Sequence, residues 1–394
     1  MSISTVTTER IFMEIINGIY STAKIFTTNN AETAIDHYAL SQLKALCDNE
    51  TSAGTTIRVM PDVHPGVVGT IGLTMTVGTK LMPNLVGVDI GCGMLLGQIK
   101  GKNVEFQKLD KVIRENIPSG FSVRKNVHRF AGEFDFDRLI CRKYINLNKA
   151  MLSLGTLGGG NHFIEIDKDG AGNLYVIIHS GSRHLGKEVT EYYLAAGKKY
   201  LEEKEIIIPY ELTYLEDELL NNYLHDVQII QHFASLNREI ILSELAKGMK
   251  WKLTDSYECI HNYVDATDET LDIYHAPMLR KGAISAKLNE KVIIPINMRD
   301  GVILGTGLGN KDWNHSAPHG AGRIMNRNDV KSHFTVSAYK SAMKGIYSSC
   351  IGAGTLDEAP FAYRKIDDIL EVVKDTVNIT DVLTPLYNFK AGDK

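Results

Sequence analysis

The sequence predicts a composite α+β domain, with Gly-punctuated strands on both sides of a long helical region, and neither a Rossmann nor a P-loop fold. Three observations carry this. Short apolar runs that alternate and end on polar residues occur before residue 180 and again beyond Trp251, a strand signature. Between them, Glu188 to Lys204 and Asn222 to Gly248 read as amphipathic helix, with Leu224, Val227, Ile230, Ala234, Ile241 and Leu245 near helical spacing. No Gly-x-x-x-x-Gly-Lys-Ser/Thr sequence and no strand-bound Gly-x-Gly-x-x-Gly occurs.

Taken in order, a helix is expected over Ala31 to Cys47, closed by the polar turn Asp48-Asn49-Glu50, and then a Gly-rich β segment from Ile57 to Leu96. Residues 108 to 150 read as a short helix, a charged loop and a second helical stretch. Leu152 to Ile166 and Leu174 to His179 read as strands, each close to a histidine. Within the helical region, His225 and His232 are expected at the surface or in the core, not as ligands. Strands at Lys291 to Pro295 and Val302 to Gly307 lead to a helix over about Arg327 to Lys344. The chemistry-bearing motifs run from 89 to 323 with no repeat or low-complexity boundary, so residues 1–394 are expected to form one domain, with the helical region at about 188–250 as an insertion or subdomain.

Composition bounds the function. A chain of 394 residues, 44% hydrophobic, can bury a large core. No N-terminal apolar run resembles a signal peptide and no stretch approaches the roughly 18 apolar residues that span a bilayer, so a cytoplasmic protein with no membrane partner is expected. The five cysteines (Cys47, Cys92, Cys141, Cys259, Cys350) are widely spaced without a Cys-x-x-Cys pair, which suggests neither a disulfide framework nor a zinc ribbon. A formal charge of −4 gives no global attraction to nucleic acid, so any RNA contact needs a local groove. Arg183, Arg280-Lys281, Arg299 and Arg323, each within two residues of Gly or Ser, are the candidates, or else solvated surface arginines.

The sharpest chemistry begins at Val86-Gly87-Val88-Asp89-Ile90-Gly91-Cys92-Gly93-Met94, where a carboxylate and a thiol stand three residues apart. With His162, His179 and His261 downstream, Asp89 and Cys92 make five candidate ligands of mixed oxygen, sulfur and nitrogen type, suited to manganese, zinc, cobalt or iron. Five exceed one tetrahedral site, and a thiolate can bridge, so a binuclear centre is admissible. Taken singly, each is also readable as a small buried thiol or a satisfied histidine. In Gly158-Gly159-Gly160-Asn161-His162 the glycines let backbone amides approach a ligand, Asn161 offers a neutral side chain to an oxygen, and Glu165 follows on the same strand. Pro318-His319-Gly320-Ala321-Gly322-Arg323 leaves an imidazole sterically open, as a nucleophile on phosphorus requires; a histidine at the start of a helix is the alternative.

In this order, Met60-Pro61-Asp62-Val63-His64, Asp89 to Met94, Gly158 to Glu165, His179 to Arg183 and His319 to Arg323 resemble the RtcB family of RNA-splicing and RNA-repair ligases, over most of the chain to Lys390. The resemblance implies a single α+β domain of the RtcB type. It implies a ligase that joins RNA ending in a 3′-phosphate or 2′,3′-cyclic phosphate to RNA with a 5′-hydroxyl, in tRNA splicing or RNA repair. GTP would be the co-substrate, two manganese(II) ions the cofactors, and an archease-type activator a partner.

By the same resemblance, Asp89, Cys92 and His162 hold one manganese, and Cys92, His179 and His261 the second. His319 is the catalytic residue that takes GMP. Asn161, His162, Phe163, Ile164, Glu165, His261, Asn262, Pro295, Ile296, Asn297, Met298, His319, Gly320, Ala321, Gly322 and Lys390 surround the nucleotide. A carboxylate at Glu165 suits the adjacent N1 and N2 donors of guanine. Asp62, His64, Arg183 and Arg323 are candidates for the RNA phosphates, with Asp62 or His64 taking the 5′-hydroxyl proton. His184, Leu279 and Ala317-Pro318 depart from the commonest family pattern, which leaves the RNA substrate open. Two other classes compete: a metal-dependent phosphohydrolase or cyclic phosphodiesterase acting on RNA ends, and a silent RNA-binding protein.

Overall fold

The computed structural model describes residues 12–27 and 35–391. A hairpin of β1 (Phe12–Asn17) and β2 (Thr22–Thr27) precedes α1 (His37–Cys47). Of the helix expected from Ala31, residues 31–34 lie outside the described residues. Its described part starts at His37 because the Asp36 carboxylate accepts from Tyr38 N and Ala39 N, capping the first turn. The Gly-rich segment folds as β3 (Ile57–His64), β4 (Ile71–Thr76), β5 (Lys80–Leu81), the short helix α2 (Pro83–Val86) and β6 (Gly93–Ile99). Next come α3 (Phe106–Asn116) and α4 (Leu147–Ser153), joined by a loop with three short 3-10 turns.

The strand expected from Leu152 starts only at Phe163. Leu152 closes α4, and Gly155, Gly158 and Gly160 all have positive φ, so the intervening chain is a turn-rich loop. β7 (Phe163–Lys168), β8 (Leu174–Ser180), α5 (Arg183–Glu203), β9 (Leu215–Glu216) and α6 (Asp217–Met249) follow. Then come β10 (Leu253–Ile260), β11 (Asn262–Asp265), α7 (Asp268–Tyr274), β12 (Met278–Lys281), β13 (Ala283–Ser285), β14 (Lys291–Asn297), β15 (Gly301–Gly307) and β16 (Ser316–Pro318). The expected Arg327–Lys344 helix is two, α8 (Arg327–His333) and α9 (Val336–Ala342), because Thr335 leaves helical geometry and its hydroxyl caps the second through Ala338 N. The chain ends in α10 (Ile366–Val373) and β17 (Val377–Lys390).

Two large sheets organise the molecule. One runs β1-β2-β3-β4-β12-β11 and the other β10-β6-β8-β7-β17-β15-β14. Apart from β2 with β3, the strand pairings are antiparallel. The central strands β6, β8 and β7 of the second sheet are buried on both faces, so their residues alternate between two cores. Leu95, Ile164, Ile166, Val176 and Ile178 face α3 and α6, while Met94, Leu96, Phe163 and Ile177 face the core containing Ile294, Ile296 and Val302.

The helical region, expected as an insertion, is woven into both sheets. Val227 and Ile230 of α6 pack with the first sheet's core, and Ile241 and Leu245 pack on the second. Its 33 residues span about 50 Å, long enough to reach from one core to the other. His225 and His232 are on its exposed side, as expected. No helix among the described residues is long and apolar enough to cross a membrane.

One consequence of register matters for function. Gly93, Ile260 and Ser180 are aligned across β6, β10 and β8, and Phe163, His179 and Lys390 across β7, β8 and β17. Strands running in opposite directions therefore begin or end at the same edge of the second sheet. Ile260 ends β10 and Asn262 begins β11, so at His261 the chain passes from one sheet to the other.

Candidate active site

Five polar side chains meet at that shared edge. Cys92 Sγ lies 3.4 Å from His162 Nε2 and 3.3 Å from His179 Nε2. His179 Nε2 lies 3.3 Å from His261 Nε2, and His162 Nε2 lies 2.9 Å from Asp89 Oδ2. All five candidate ligands are thus brought together, and the ligand atoms of Cys92, His162 and His179 fall within 4.8 Å of one another.

The outer nitrogens set the tautomers. His179 Nδ1 meets Asn161 O at 3.1 Å, so that ring donates outward and turns its Nε2 lone pair inward, while His162 Nδ1 stands between Leu157 O (2.9 Å) and Arg183 NH1 (3.2 Å). Burial pushes the His179 and His261 imidazoles well below their ordinary pKa, which keeps them in the neutral, ligating form. Burial likewise pushes the Cys92 thiol up, as does the nearby Asp89 charge. Burial opposes ionisation of Asp89 too, but the hydrogen bond and charge of His162, with Arg183, hold it well below the usual carboxylate range. His179 Nε2 and His261 Nε2 stand 3.3 Å apart beside Cys92 Sγ, so a buried imidazole lone pair there has only a second imidazole or a thiol to meet. A cation between them satisfies both and stabilises the thiolate, so the donor set fits a divalent ion of intermediate softness.

Supporting residues hold this geometry. Asp89 Oδ1 accepts from Ser182 N at 3.0 Å, and a Cβ on Gly181 would stand 2.2 Å from that oxygen, so only glycine fits there. Fully buried Arg238 donates to Gly91 O (2.7 Å) and Ser180 O (2.8 Å) and pairs with Glu258 at 2.8 Å. Asn237 Nδ2 donates to Ser180 Oγ and Gly181 O. Sequence reasoning missed both, although they interrupt an apolar stripe three and four residues after Ala234, where a buried polar side chain needs a partner.

His319 follows β16. Its Nδ1 lies 2.6 Å from Asp62 Oδ2, and the same oxygen accepts from His319 N at 3.1 Å. Asp62 is fully buried, and its ring partner packs edge-on against His261, with centroids 4.9 Å apart. The arrangement orients the imidazole and leaves Nε2 unengaged by Asp62.

Asp89, Cys92, His179, His261 and His319 border a cleft of about 890 Å³ whose lining does not include His162 or Asp62 and is completed by His64, Asn161, Phe163, Glu165, Asn262, Pro295, Ile296, Asn297, Met298, Gly320, Ala321, Gly322, Arg323 and Lys390. Ile164 is not among them: on β7 it points to the opposite face and is buried in the α3/α6 core, so the expected nucleotide contact is corrected for its side chain. His64 Nδ1 meets Asp62 O at 3.0 Å, and burial lowers the imidazole to about 4.

Arg183 is placed behind the histidines instead of in the cleft lining, with NH1 3.2 Å from His162 Nδ1 and NH2 donating to Gly120 O at 3.3 Å. Its backbone is left-handed (φ 58°), an unfavourable conformation held by these contacts. Arg280 is buried in an ion pair with Asp265 at 3.0 Å, and Arg299 pairs with Asp300.

Three acidic or amide residues were missed. Glu358 is buried at the cleft wall, where Lys390 and Tyr363 donate to it and Arg327 pairs with it. Burial alone would raise its carboxyl, but Lys390 and Arg327 hold it down at about 2. Asn388 donates to Glu165, whose carboxyl burial pushes up to about 7. Asp167, two positions on along β7, is fully buried with neither oxygen hydrogen-bonded, and burial beside Glu165 pushes it up as well. The Glu165-Ile166-Asp167 alternation was the available signal for the pair.

Fold and cleft together define a mixed helix-and-sheet protein with a site fit for a metal ion beside a carboxylate-oriented histidine. A family model described as tRNA-splicing ligase RtcB matches residues 49–144 and 141–391, and the chain belongs to the RtcB family. It is 31% identical to the RNA-splicing ligase RtcB of Escherichia coli strain K12, over 82% of this chain and 87% of that protein. It is 33% identical, with the same coverages, to RNA-splicing ligase RtcB1 of another Escherichia coli strain. To the tRNA-splicing ligase RtcB of Nanoarchaeum equitans it is 26% identical, over 80% of this chain and 84% of the other.

Proposed function

We propose that the chain is an RNA ligase that joins 3′-phosphate or 2′,3′-cyclic phosphate ends to 5′-hydroxyl ends with GTP, and that the described chain acts as one catalytic unit. The observation that carries this is His319, tied to buried Asp62 at 2.6 Å, packed on His261 and open to the cleft. Family membership supports the ligase class, and the relatives' names support an RNA substrate in splicing.

Asp62 accepts the Nδ1 proton of His319, so the nucleophilic lone pair is that of Nε2. Nε2 attacks the α-phosphorus of GTP; the phosphorus–nitrogen bond forms and pyrophosphate leaves. An oxygen of the RNA 3′-phosphate then takes GMP, and the phosphorus–nitrogen bond breaks. Last, the 5′-hydroxyl oxygen attacks the RNA phosphorus, its proton is removed, and GMP leaves. A cyclic end first requires opening by water to a 3′-phosphate.

The site residues divide this work. Asp89, Cys92, His162, His179 and His261 would hold two manganese(II) ions with Cys92 bridging, and the ions supply neutralisation of the triphosphate charge. Glu165 would read guanine, with Lys390 beside it. Since Asp62 is committed to His319, His64, neutral at pH 7, is the better acceptor for the 5′-hydroxyl proton. Arg323 in the cleft lining would meet an RNA phosphate. An archease-type activator and a cytoplasmic setting belong to the same reading.

The test is covalent labelling with α-labelled GTP and manganese(II). Label that needs His319, resists excess ATP and is chased onto 3′-phosphate RNA is the expected result. Metal-loaded protein that takes no label, yet opens cyclic phosphate ends without nucleotide, would move the assignment to a phosphodiesterase.

A further inference from the structure

Beside the metal-ligand cluster stands a tight turn that none of the roles above uses. Residues 118–122 are pinned to the glycine loop carrying His162: Gly120 N donates to Gly158 O and Leu157 N donates to Pro118 O, both at 2.9 Å. Ser122 N closes the turn onto Ser119 O at 3.2 Å, and Arg124 anchors the next segment by donating to Leu154 O and Gly155 O. The Arg183 guanidinium bridges Gly120 O (3.3 Å) and His162 Nδ1 (3.2 Å). The turn is therefore one arginine side chain away from a metal-ligand histidine.

Its tip is Phe121, 94% exposed, the most exposed large apolar side chain among the described residues. Folding gains nothing from an aromatic ring held in water on a rigid turn. Around it the chain is open and basic. An added Cβ on Gly160 would meet nothing within 4 Å, and Asn161 is exposed. The flanking residues 118–132 carry three Lys or Arg and no Asp or Glu in a chain whose net charge is −4, and Lys125 and Arg129 are exposed. A solvent-facing ring on a pinned turn, with exposed cations in the flanking chain and a metal-ligand loop beside it, matches the arrangement used to bind single strands, with stacking for the base and cations for the backbone.

We infer that Phe121 is a stacking platform for a nucleobase of the single-stranded RNA whose reacting end lies at the metal centre. The identity of the polymer rests on the ligase reading. Stacking is indifferent to base identity, so the platform adds affinity and alignment and leaves sequence unread.

The experiment compares full-length wild type, Phe121→Ala and Phe121→Trp. For Phe121→Ala the apparent KM for 3′-phosphate or 5′-hydroxyl RNA is expected to rise roughly 5- to 100-fold, while GTP labelling of His319 and metal content stay at wild-type levels. Phe121→Trp should keep the wild-type KM, and its emission, corrected for Trp251 and Trp313, should be quenched by single-stranded RNA. An unchanged KM in Phe121→Ala together with RNA-indifferent emission in Phe121→Trp overturns the inference, and would leave a protein partner as the occupant of the turn. If wild type neither takes label nor joins RNA, the ligase reading fails, and the Phe121→Trp titration still decides whether the ring stacks on RNA.

Discussion

Asp62 Oδ2 stands 2.6 Å from His319 Nδ1, although 257 positions separate the two residues in the chain. The same oxygen receives the His319 main-chain N–H, so ring and backbone are held by one atom. Asp62→Asn should therefore keep the fold but present an amide where the ring needs an acceptor. The expected result is a fall in guanylation rate of roughly a hundredfold or more, with metal content unchanged. Single-turnover labelling checks it; a wild-type rate would show that the pair does not orient the nucleophile.

Cys92 lies within 3.4 Å of two imidazole nitrogens and is the common neighbour of the cluster. Cys92→Ala should lose both bound ions together. At a metal concentration about a hundred times Kd, bound metal stabilises the fold by about 2.7 kcal/mol. Chelation should abolish that increment in wild type, and Cys92→Ala should lack it from the start. Elemental analysis with thermal melts in the presence and absence of manganese(II) decides it; two ions retained in Cys92→Ala removes the bridge.

Glu165 and Asp167 give a pH dependence whose sign is set by burial. Burial raises the Glu165 carboxyl from 4.5 to about 7, so the folded chain binds more protons than the unfolded one between those values. Stability is then full below about 4.5 and is lost as pH rises toward 7, by as much as roughly 3 kcal/mol. Asp167→Asn removes one acid of the pair and should be more stable than wild type at pH 8, with a flatter slope between pH 5 and 8. Urea denaturation at the two pH values measures it, and identical slopes in the two proteins would show that Asp167 does not contribute to the dependence.

Arg238 satisfies Gly91 O and Ser180 O from inside α6. Arg238→Ala should destabilise by about 3 kcal/mol through the carbonyls and the Glu258 charge left without it. Manganese affinity should weaken as well, since those carbonyls flank Cys92 and His179. Arg238→Lys should recover part of both; denaturation with metal titration tests them, and unaltered metal affinity in Arg238→Ala would confine the residue to folding.

The ligand residues are legible in the sequence because a thiol and imidazoles framed by glycine are uncommon and chemically loud. Convergence is not: nothing in the spacing of Cys92, His162, His179 and His261 states that register brings four strand ends to one edge. No local pattern ties Asp62 to His319, its partner 257 residues on, so the sequence alone leaves it among the RNA-facing candidates. Ile164 was carried along with its neighbours, though strand alternation turns it to the other face. Arg238, Glu358 and Asn388 carry no motif, and only tertiary partners mark them. Boundaries slipped where a glycine with positive φ or a threonine cap interrupted an otherwise continuous apolar pattern.

The place of β17 in its sheet has a consequence for biosynthesis. It is the last strand among the described residues, yet it lies between β7 and β15 and supplies hydrogen-bond partners to both. Until the ribosome has released it, those two strands are open edges, which invite pairing with another chain. A product cut short before this strand would then be inert and prone to aggregate, lacking both Lys390 and the seam that joins the halves of the sheet. The cleft lysine and the seam of the sheet thus come from one and the same late segment.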